Sequence, residues 1–125
     1  KYGIKYVSLN EIFEKSDIIS LHMKATKETE KIINRELLSK MKKGSLLINA
    51  ARAELVDYNA LYELLKDGQI GGAAIDVFES EPPEDYGLAK MNNVIATPHI
   101  GFYTKKANDN SIKLSVDSVL KVSNE

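Results

Sequence analysis

Residues 44–78 have the sequence GSLLINAARAELVDYNALYELLKDGQIGGAAIDVF, and this stretch decides the fold. The apolar run Leu46–Ile48 is typical of a buried strand, and Asp57 is placed to cap a helix that ends at Gly68. That helix carries leucines at helical spacing, namely Leu61, Leu64 and Leu65. A run of small and branched residues, Gly72–Ile75, then predicts another central strand. A strand, a helix and a strand in this order indicate parallel strands joined by a helical crossover.

The same alternation extends towards both ends of the chain. Ile4–Val7 predicts a short strand, Ile18–Leu21 a buried strand that ends at His22, and Val94–Ala96 a fourth central strand. The segment Pro82–Tyr86 contains two prolines and predicts a surface loop between the last two strands. We therefore expect one α/β domain with a parallel sheet and no internal boundary or repeat.

Three further helices are predicted from their caps and apolar spacing. Ser8 caps the first, and Glu11 is expected to reach back to it in a capping box. Asn34 caps the second, Arg35–Lys43, which a glycine follows. The last, Thr104–Val122, is expected to turn its apolar residues inward, namely Ala107, Leu114 and Val119. Since helices alternate with strands, we expect them to cover both faces of the sheet.

The composition excludes several classes of protein. The chain has 125 residues, 43% of them apolar and 28% charged, which fits one globular domain and excludes disorder. A net charge of −1 argues against a nucleic-acid or anionic-membrane partner. Without cysteine there is no disulfide or thiolate zinc site, which fits a cytoplasmic protein. No apolar run approaches the roughly 18 residues that a membrane span needs.

Polar and charged residues follow the central strands, at the edge where open parallel sheets bind ligands. Both histidines of the chain, one arginine and three carboxylates are placed there. They are His22, Arg52, Asp76, Glu79, Glu81 and His99. Because a structural domain has little reason to collect such groups, we expect a cleft at this edge.

Each of these residues also has a purely structural explanation. His99 follows a proline and could bond a backbone carbonyl in a turn, and Arg52 could neutralise a helix end or pair with a nearby glutamate. Glu81 could be an ordinary solvated loop charge, and His22 could only cap the sheet edge. Asp76 is the least well explained, because aspartate is disfavoured in strands.

Taken together, a histidine with a carboxylate partner and an arginine are the groups that reduction of a 2-oxo acid requires. Arginine offers a planar fork that pairs with a carboxylate through two bonds. Histidine can donate a proton to the carbonyl oxygen, and a neighbouring carboxylate favours the protonated ring and fixes its tautomer. The hydride must come from a cofactor.

Four motifs resemble the D-isomer-specific 2-hydroxyacid dehydrogenases, in the later part of their nucleotide-binding domain. They are SDIISLH at 16–22, NAAR at 49–52, AIDVFESEP at 74–82 and TPHIG at 97–101. They occur in the family's order and span nearly the whole chain. The resemblance implies an oxidoreductase that uses NAD, with NADP left open, and acts on a small D-2-hydroxy acid or its 2-oxo acid.

The same resemblance implies a role for each matching residue. Arg52 would bind the substrate carboxylate, His99 would be the acid and base, and Glu81 would be its hydrogen-bonded partner. Asp76 would hold the nicotinamide end of the cofactor. The residues implied to line the cofactor site are His22, Met23, Lys24, Thr29, Ala50, Ala51, Arg52 and Asp76.

Three features depart from the family's pattern. Ala53 stands where glycine is usual, which implies a backbone that avoids the left-handed region or accepts modest strain there, and Lys24 stands where proline is usual. The seven glycines form no G-x-G-x-x-G. We therefore expect residues 1–125 to be a truncated Rossmann-like domain without its first β-α-β unit and without the substrate-binding domain. A homodimer is expected, and the alternative is a non-catalytic module that senses dinucleotide or binds partner proteins.

Overall fold

The computed structural model describes residues 3–123. At its centre is a sheet of four strands, β1 (Ile18–Leu21), β2 (Ser45–Asn49), β3 (Ile70–Ile75) and β4 (Val94–Ala96). The strands lie in chain order, and every neighbouring pair is parallel. The predicted α/β class with a parallel sheet is therefore confirmed, and the carboxyl ends of all four strands lie along one edge.

Helices precede, connect and follow these strands. They are α1 (Leu9–Lys15), α2 (Arg35–Ser39), α3 (Tyr58–Lys66) and α4 (Lys105–Ser123), with short 3-10 turns at Ala53–Leu55 and Leu88–Lys90. The predicted caps of the first three are confirmed, because side-chain oxygens of Ser8, Asn34 and Asp57 accept backbone N–H bonds at 3.0–3.2 Å. Within residues 3–123, no helix has the length and apolarity needed to cross a bilayer.

The first residues of the described chain differ from their prediction. Ile4–Val7 forms no strand, since none of the four strands pairs with it. The N–H of Glu11 donates to the Ser8 hydroxyl as expected, but the Glu11 carboxylate lies 3.1 Å from Lys15 Nζ. The Glu11 carboxylate therefore forms an ion pair with Lys15, one helical turn along, instead of bonding back to Ser8 as a capping box requires.

α2 is shorter than the sequence predicts. It ends at Ser39 rather than at Lys43, because the N–H of Met41 bonds to the carbonyl of Leu38, three residues back, and closes a tight turn. The turn leaves Met41 only 2% exposed, so burial of this side chain favours the early end. Gly44 then adopts the left-handed conformation, with a φ of 81°, immediately before β2.

The core lies on one face of the sheet. Ile19, Leu47 and Ala73 stand side by side across the first three strands and are buried. The first three helices cover them with further buried side chains, chiefly Phe13, Leu37, Leu38, Leu61 and Leu65. Each such side chain stabilises the fold by about 1.5–3 kcal/mol. This layer holds the strands, and so the positions of their carboxyl ends.

The opposite face is largely open within residues 3–123, although Ile48 and Ala74 at its centre are half-buried. Ile18 is 60% and Ile95 is 71% exposed, so β1 and β4 are not buried on both sides as predicted. Leu114 and Val119, predicted to face inward, are 67% and 69% exposed, and Ala107 is exposed as well. Helical spacing predicted the helix, but it does not indicate which surface the helix meets. For the described residues, the expectation that helices cover both faces is wrong.

Candidate active site

The parallel sheet brings the predicted polar residues to one edge. His22 directly follows β1, and Arg52 closely follows β2. Asp76 directly follows β3, and His99 closely follows β4. Because all four strands point the same way, these residues share the edge where open parallel sheets bind ligands.

His99 and Glu81 form a hydrogen-bonded pair. The Nδ1 atom of His99 lies 3.0 and 2.9 Å from the two carboxylate oxygens of Glu81, and the Phe78 N–H donates to the same carboxylate at 3.3 Å. The hydrogen bond with His99 holds the pKa of Glu81 below its ordinary value. Because Nδ1 faces Glu81, Nε2 is the ring nitrogen left to exchange a proton with a ligand.

A second carboxylate shapes the turn that carries His99. Asp76 accepts hydrogen bonds from the Thr97 hydroxyl, from the Ile100 N–H at 2.9 Å and from the Gly101 N–H at 2.8 Å. The turn places His99 at a φ of 54°, a left-handed conformation that few non-glycine residues adopt. A Cβ on Gly101 would lie 2.8 Å from a carboxylate oxygen of Asp76, so the close approach requires glycine.

Asp76 is ionised in this setting. It is only 8% exposed, and this burial opposes ionisation, but the hydrogen bonds from Thr97, Gly101 and Ile100 outweigh it and lower the pKa. The carboxylate therefore acts as an acceptor that holds the turn around His99. Its implied contact with the nicotinamide end of a cofactor stays a prediction.

Asp76→Asn is expected to destabilise the fold by roughly 2 kcal/mol near neutral pH, because an amide replaces a charged acceptor of three hydrogen bonds. A carboxyl whose pKa is lowered by folding stabilises the native state above its unfolded pKa, about 3.8, and loses that effect as the pH falls through the folded value. Urea unfolding of wild type and Asp76→Asn, near neutral pH and at a pH well below 3.8, measures the difference in their free energies of unfolding. Asp109→Asn, on exposed α4, is the matched control. Equal losses in the two variants, or a difference that does not shrink in acid, would contradict this assignment.

Arg52 lies in a turn that one buried asparagine holds. Asn49 is 1% exposed, and its Nδ2 donates to the Arg52 carbonyl at 2.9 Å while its Oδ1 accepts from the Ala51 N–H at 3.1 Å. The exposed Arg52 guanidinium donates only to the Ala51 carbonyl, at 2.7 Å, among the bonds between described residues. In residues 3–123 no hydrogen bond or ion pair joins Arg52 to His99 or Glu81. Arg52 therefore shares the edge with that pair without bonding to it, and its role in binding a ligand stays a prediction.

The backbone at Ala53 is ordinary. Among residues 3–123, Lys31 and His99 are the non-glycine residues with a positive φ. Ala53 begins the 3-10 turn that follows Arg52 and so avoids the left-handed region. The sequence left two expectations for this position, a backbone that avoids the left-handed region or modest strain within it. The first is confirmed and the second is wrong.

Apart from Asp76, which follows β3, the residues implied to line a nucleotide site lie after β1 and β2. His22 Nε2 lies 2.8 Å from the Ser20 hydroxyl. The Thr29 hydroxyl donates to the Lys24 carbonyl at 2.9 Å and accepts from the Thr26 N–H at 2.8 Å, which folds this loop on itself. The remaining members are Met23, Ala50 and Ala51. Their roles in cofactor binding stay predictions.

Asn49 and Tyr58 contribute to this edge without having been predicted as site residues. The Asn49 amide donates to the Tyr58 hydroxyl at 3.0 Å. An asparagine at the end of an apolar strand must satisfy its amide once it is buried, and that signal could have identified Asn49. No comparable signal marks Tyr58, since an aromatic residue at the start of a helix has no typical partner.

A cleft of about 550 Å³ adjoins the histidine–glutamate pair on the side of Glu81. Its lining is mostly apolar and includes Phe78, Pro82, Tyr86, Ala96 and Pro98. No three His, Asp or Glu side chains in the described part of the chain are grouped to hold a metal ion. The edge therefore offers an imidazole held by a carboxylate, an exposed guanidinium and an apolar cleft.

Comparisons with known proteins point to one family of enzymes. The family model of the D-isomer specific 2-hydroxyacid dehydrogenase, NAD binding domain, matches residues 1–101. The chain is 45% identical over 121 residues to a glyoxylate reductase of Thermofilum pendens, a match that covers 96% of this chain and 36% of the relative. It is 47% identical over 107 residues to a hydroxypyruvate reductase of Thermotoga maritima, covering 83% of this chain and 35% of the relative.

A solved structure gives the same result. The D-isomer specific 2-hydroxyacid dehydrogenase of Lactobacillus delbrueckii ssp. bulgaricus, in its NAD complexed form, matches with a TM-score of 0.90 and 37% identity. The match covers 96% of this chain and 41% of that one. The chain thus spans less than half the length of the relatives it resembles.

Proposed function

This chain belongs to the D-isomer-specific 2-hydroxyacid dehydrogenases, within their NAD-binding domain, and from that premise we propose that the protein carrying it interconverts a small D-2-hydroxy acid and its 2-oxo acid. The observation that carries the proposal is the His99–Glu81 pair at the carboxyl edge of the sheet. Bound NAD supplies the hydride chemistry that no side chain can provide.

His99 is proposed as the acid and base. During reduction its Nε2 donates a proton to the substrate carbonyl oxygen, and during oxidation the same nitrogen accepts the hydroxyl proton. Glu81, bonded to Nδ1, holds the ring so that Nε2 faces the substrate. The Asp76-bound turn keeps the ring in this place.

Arg52 is proposed to bind the substrate carboxylate. Its guanidinium is exposed at the same edge as His99, while its backbone carbonyl is held by buried Asn49. A fixed backbone with an exposed guanidinium, bonded only to the neighbouring Ala51 carbonyl among the described residues, suits recognition of a planar carboxylate through two bonds. Binding at that end orients the carbonyl for proton transfer.

The donor set at this edge fits a dinucleotide. Lys24 is an exposed cation that can face a phosphate, and the Thr29 hydroxyl lies on the same loop. Arg52, whose guanidinium is proposed for the substrate, directly follows Ala50 and Ala51. We propose that these residues hold the cofactor, with Asp76 near its nicotinamide end. The other proposed cofactor residues are His22, Met23, Ala50 and Ala51.

Further proposals concern the whole protein. Because the chain spans less than half of its relatives, we propose that residues 1–125 are the later part of a dinucleotide-binding domain and that a substrate-binding domain lies elsewhere in the protein. A homodimer is supported by β1, an edge strand within residues 3–123 whose outer backbone groups can pair. A cytoplasmic location is supported by the absence of cysteine.

The function is tested by the oxidation of NADH by the full-length protein. Glyoxylate and hydroxypyruvate are suggested by the names of the two relatives above. Pyruvate is the oxidised form of the lactate named in another relative, a D-lactate dehydrogenase of Treponema pallidum that is 39% identical over 136 residues. Turnover of at least one of them is expected. A protein that binds NADH and reduces none of the three would contradict the proposed function.

Glu81→Gln is expected to move the pH profile of kcat/KM for reduction towards acid by roughly one pH unit. The hydrogen bond with His99 lowers the pKa of Glu81, so the group that the variant replaces is an ionised carboxylate. Its negative charge stabilises positive charge at the site, and without that charge activity should fall earlier on the alkaline side. Glu79→Gln, two residues away, is the matched control and should keep the wild-type profile. A loss that is equal at every pH would count against the proposed role of Glu81.

A further inference from the structure

The hydroxyl of Tyr58 lies between two segments of the candidate active site. It accepts a hydrogen bond from Asn49 Nδ2 at 3.0 Å and donates one to the Val77 carbonyl at 2.8 Å. Tyr58 is the first residue of α3, so its backbone belongs to neither segment. One hydroxyl therefore bridges the end of β2 and the end of β3.

Each end of this bridge continues to a proposed functional residue. Asn49 also donates to the Arg52 carbonyl, so the first end holds the turn of Arg52. On the other side, Val77 precedes Phe78, whose N–H donates to the Glu81 carboxylate. The bonded path thus runs from the Arg52 turn, through the tyrosine hydroxyl, to the partner of the histidine.

We propose that Tyr58 is a positioning residue, whose hydroxyl sets the place of the Arg52 turn relative to the segment that holds the His99–Glu81 pair. The inference rests on the proposed function, because it assigns Tyr58 to the site in which Arg52 and His99 act on one substrate. Tyr58 does not touch that substrate. It acts through Asn49 and Val77.

The chemistry of the hydroxyl suits this role. Burial raises the pKa of Tyr58 far above its ordinary value, and the nearby charges of Glu79 and Glu54 act in the same direction. The hydroxyl therefore keeps its proton, and its bond to the Val77 carbonyl, throughout the pH range in which the enzyme would work.

Tyr58→Phe in the full-length protein separates positioning from packing, since the ring stays and only the hydroxyl leaves. We expect the KM for the 2-oxo acid to rise roughly three- to tenfold with a smaller change in kcat, because the misplaced Arg52 weakens carboxylate binding in ground and transition states alike. The matched control is Tyr62→Phe, one turn along α3, where the ring lies against Lys66 instead. That variant should keep the wild-type KM.

A second measurement does not need activity. Amide hydrogen exchange in residues 50–55 and 78–81, measured without substrate, should be faster in Tyr58→Phe than in wild type and unchanged in Tyr62→Phe. If the wild type reduces no 2-oxo acid, the proposed function fails, and exchange alone decides whether the bridge positions the two segments. Unchanged exchange in Tyr58→Phe overturns the inference. In an active wild type, a lower melting temperature with an unchanged KM also overturns it, because the hydroxyl would then be structural only.

Discussion

His99→Gln should abolish most of the reduction of 2-oxo acids by the full-length protein, with kcat falling by about 10²–10⁴-fold. Glutamine can donate a hydrogen bond, but it cannot give up a proton as hydride arrives. The affinity for NADH should be retained, because within residues 3–123 the ring is hydrogen-bonded to Glu81 and to no residue proposed for the cofactor. Stopped-flow reduction and NADH titration measure the two quantities separately.

The pH dependence gives this prediction a second test. In wild type the profile of kcat/KM should show the loss of one proton from the site, and in His99→Gln that step should be absent. A variant that keeps near wild-type kcat, or that keeps the same titration at a lower rate, would assign the proton to another group. A loss of NADH binding would instead show that the variant has damaged the site.

Arg52→Lys should lower kcat/KM for 2-oxo acids by roughly 30- to 150-fold, which corresponds to the loss of about 2–3 kcal/mol from a charge-assisted bond. Lysine keeps the charge but offers a single point of contact where the guanidinium offers a fork. Folding should be unaffected, because the Arg52 side chain bonds only to a neighbouring carbonyl among the described residues and is exposed.

The chain offers a matched control for this change. Its only other arginine, Arg35, begins α2 on the exposed surface. Arg35→Lys should leave kcat/KM unchanged, and both variants should melt as wild type does. Unchanged kinetics in Arg52→Lys would contradict the proposed role of Arg52. Equal losses in the two variants would show that replacing any surface arginine with lysine has this effect, so the loss would not be specific to the site.

Much of the fold could be predicted because the deciding signals are local. Ser8, Asn34 and Asp57 each cap a helix with an oxygen that reaches three residues along the chain. The apolar runs of the strands are equally local, and in a parallel sheet they place the following residues on one edge. The pairing of His99 with Glu81 was implied only by the family resemblance, since eighteen residues separate them.

The features that could not be predicted depend on packing between distant segments. Tyr58 is nine residues from Asn49 and nineteen from Val77, and nothing in the local pattern shows that the three meet. The early end of α2 is favoured by burial of the Met41 side chain in the core, which depends on residues distant in the sequence. The exposure of α4 depends equally on what surrounds the helix, which its own spacing does not contain.

The left-handed backbone at His99 limits what mutation can do at this position. Its φ of 54° is unfavourable for most side chains by about 1–2 kcal/mol, and histidine, asparagine and aspartate tolerate it better than β-branched residues do. His99→Val and His99→Thr variants would therefore be less stable than wild type, in addition to lacking the imidazole. The turn therefore limits which side chains can replace the proposed proton donor, and a wider choice would first require a different backbone between Thr97 and Gly101.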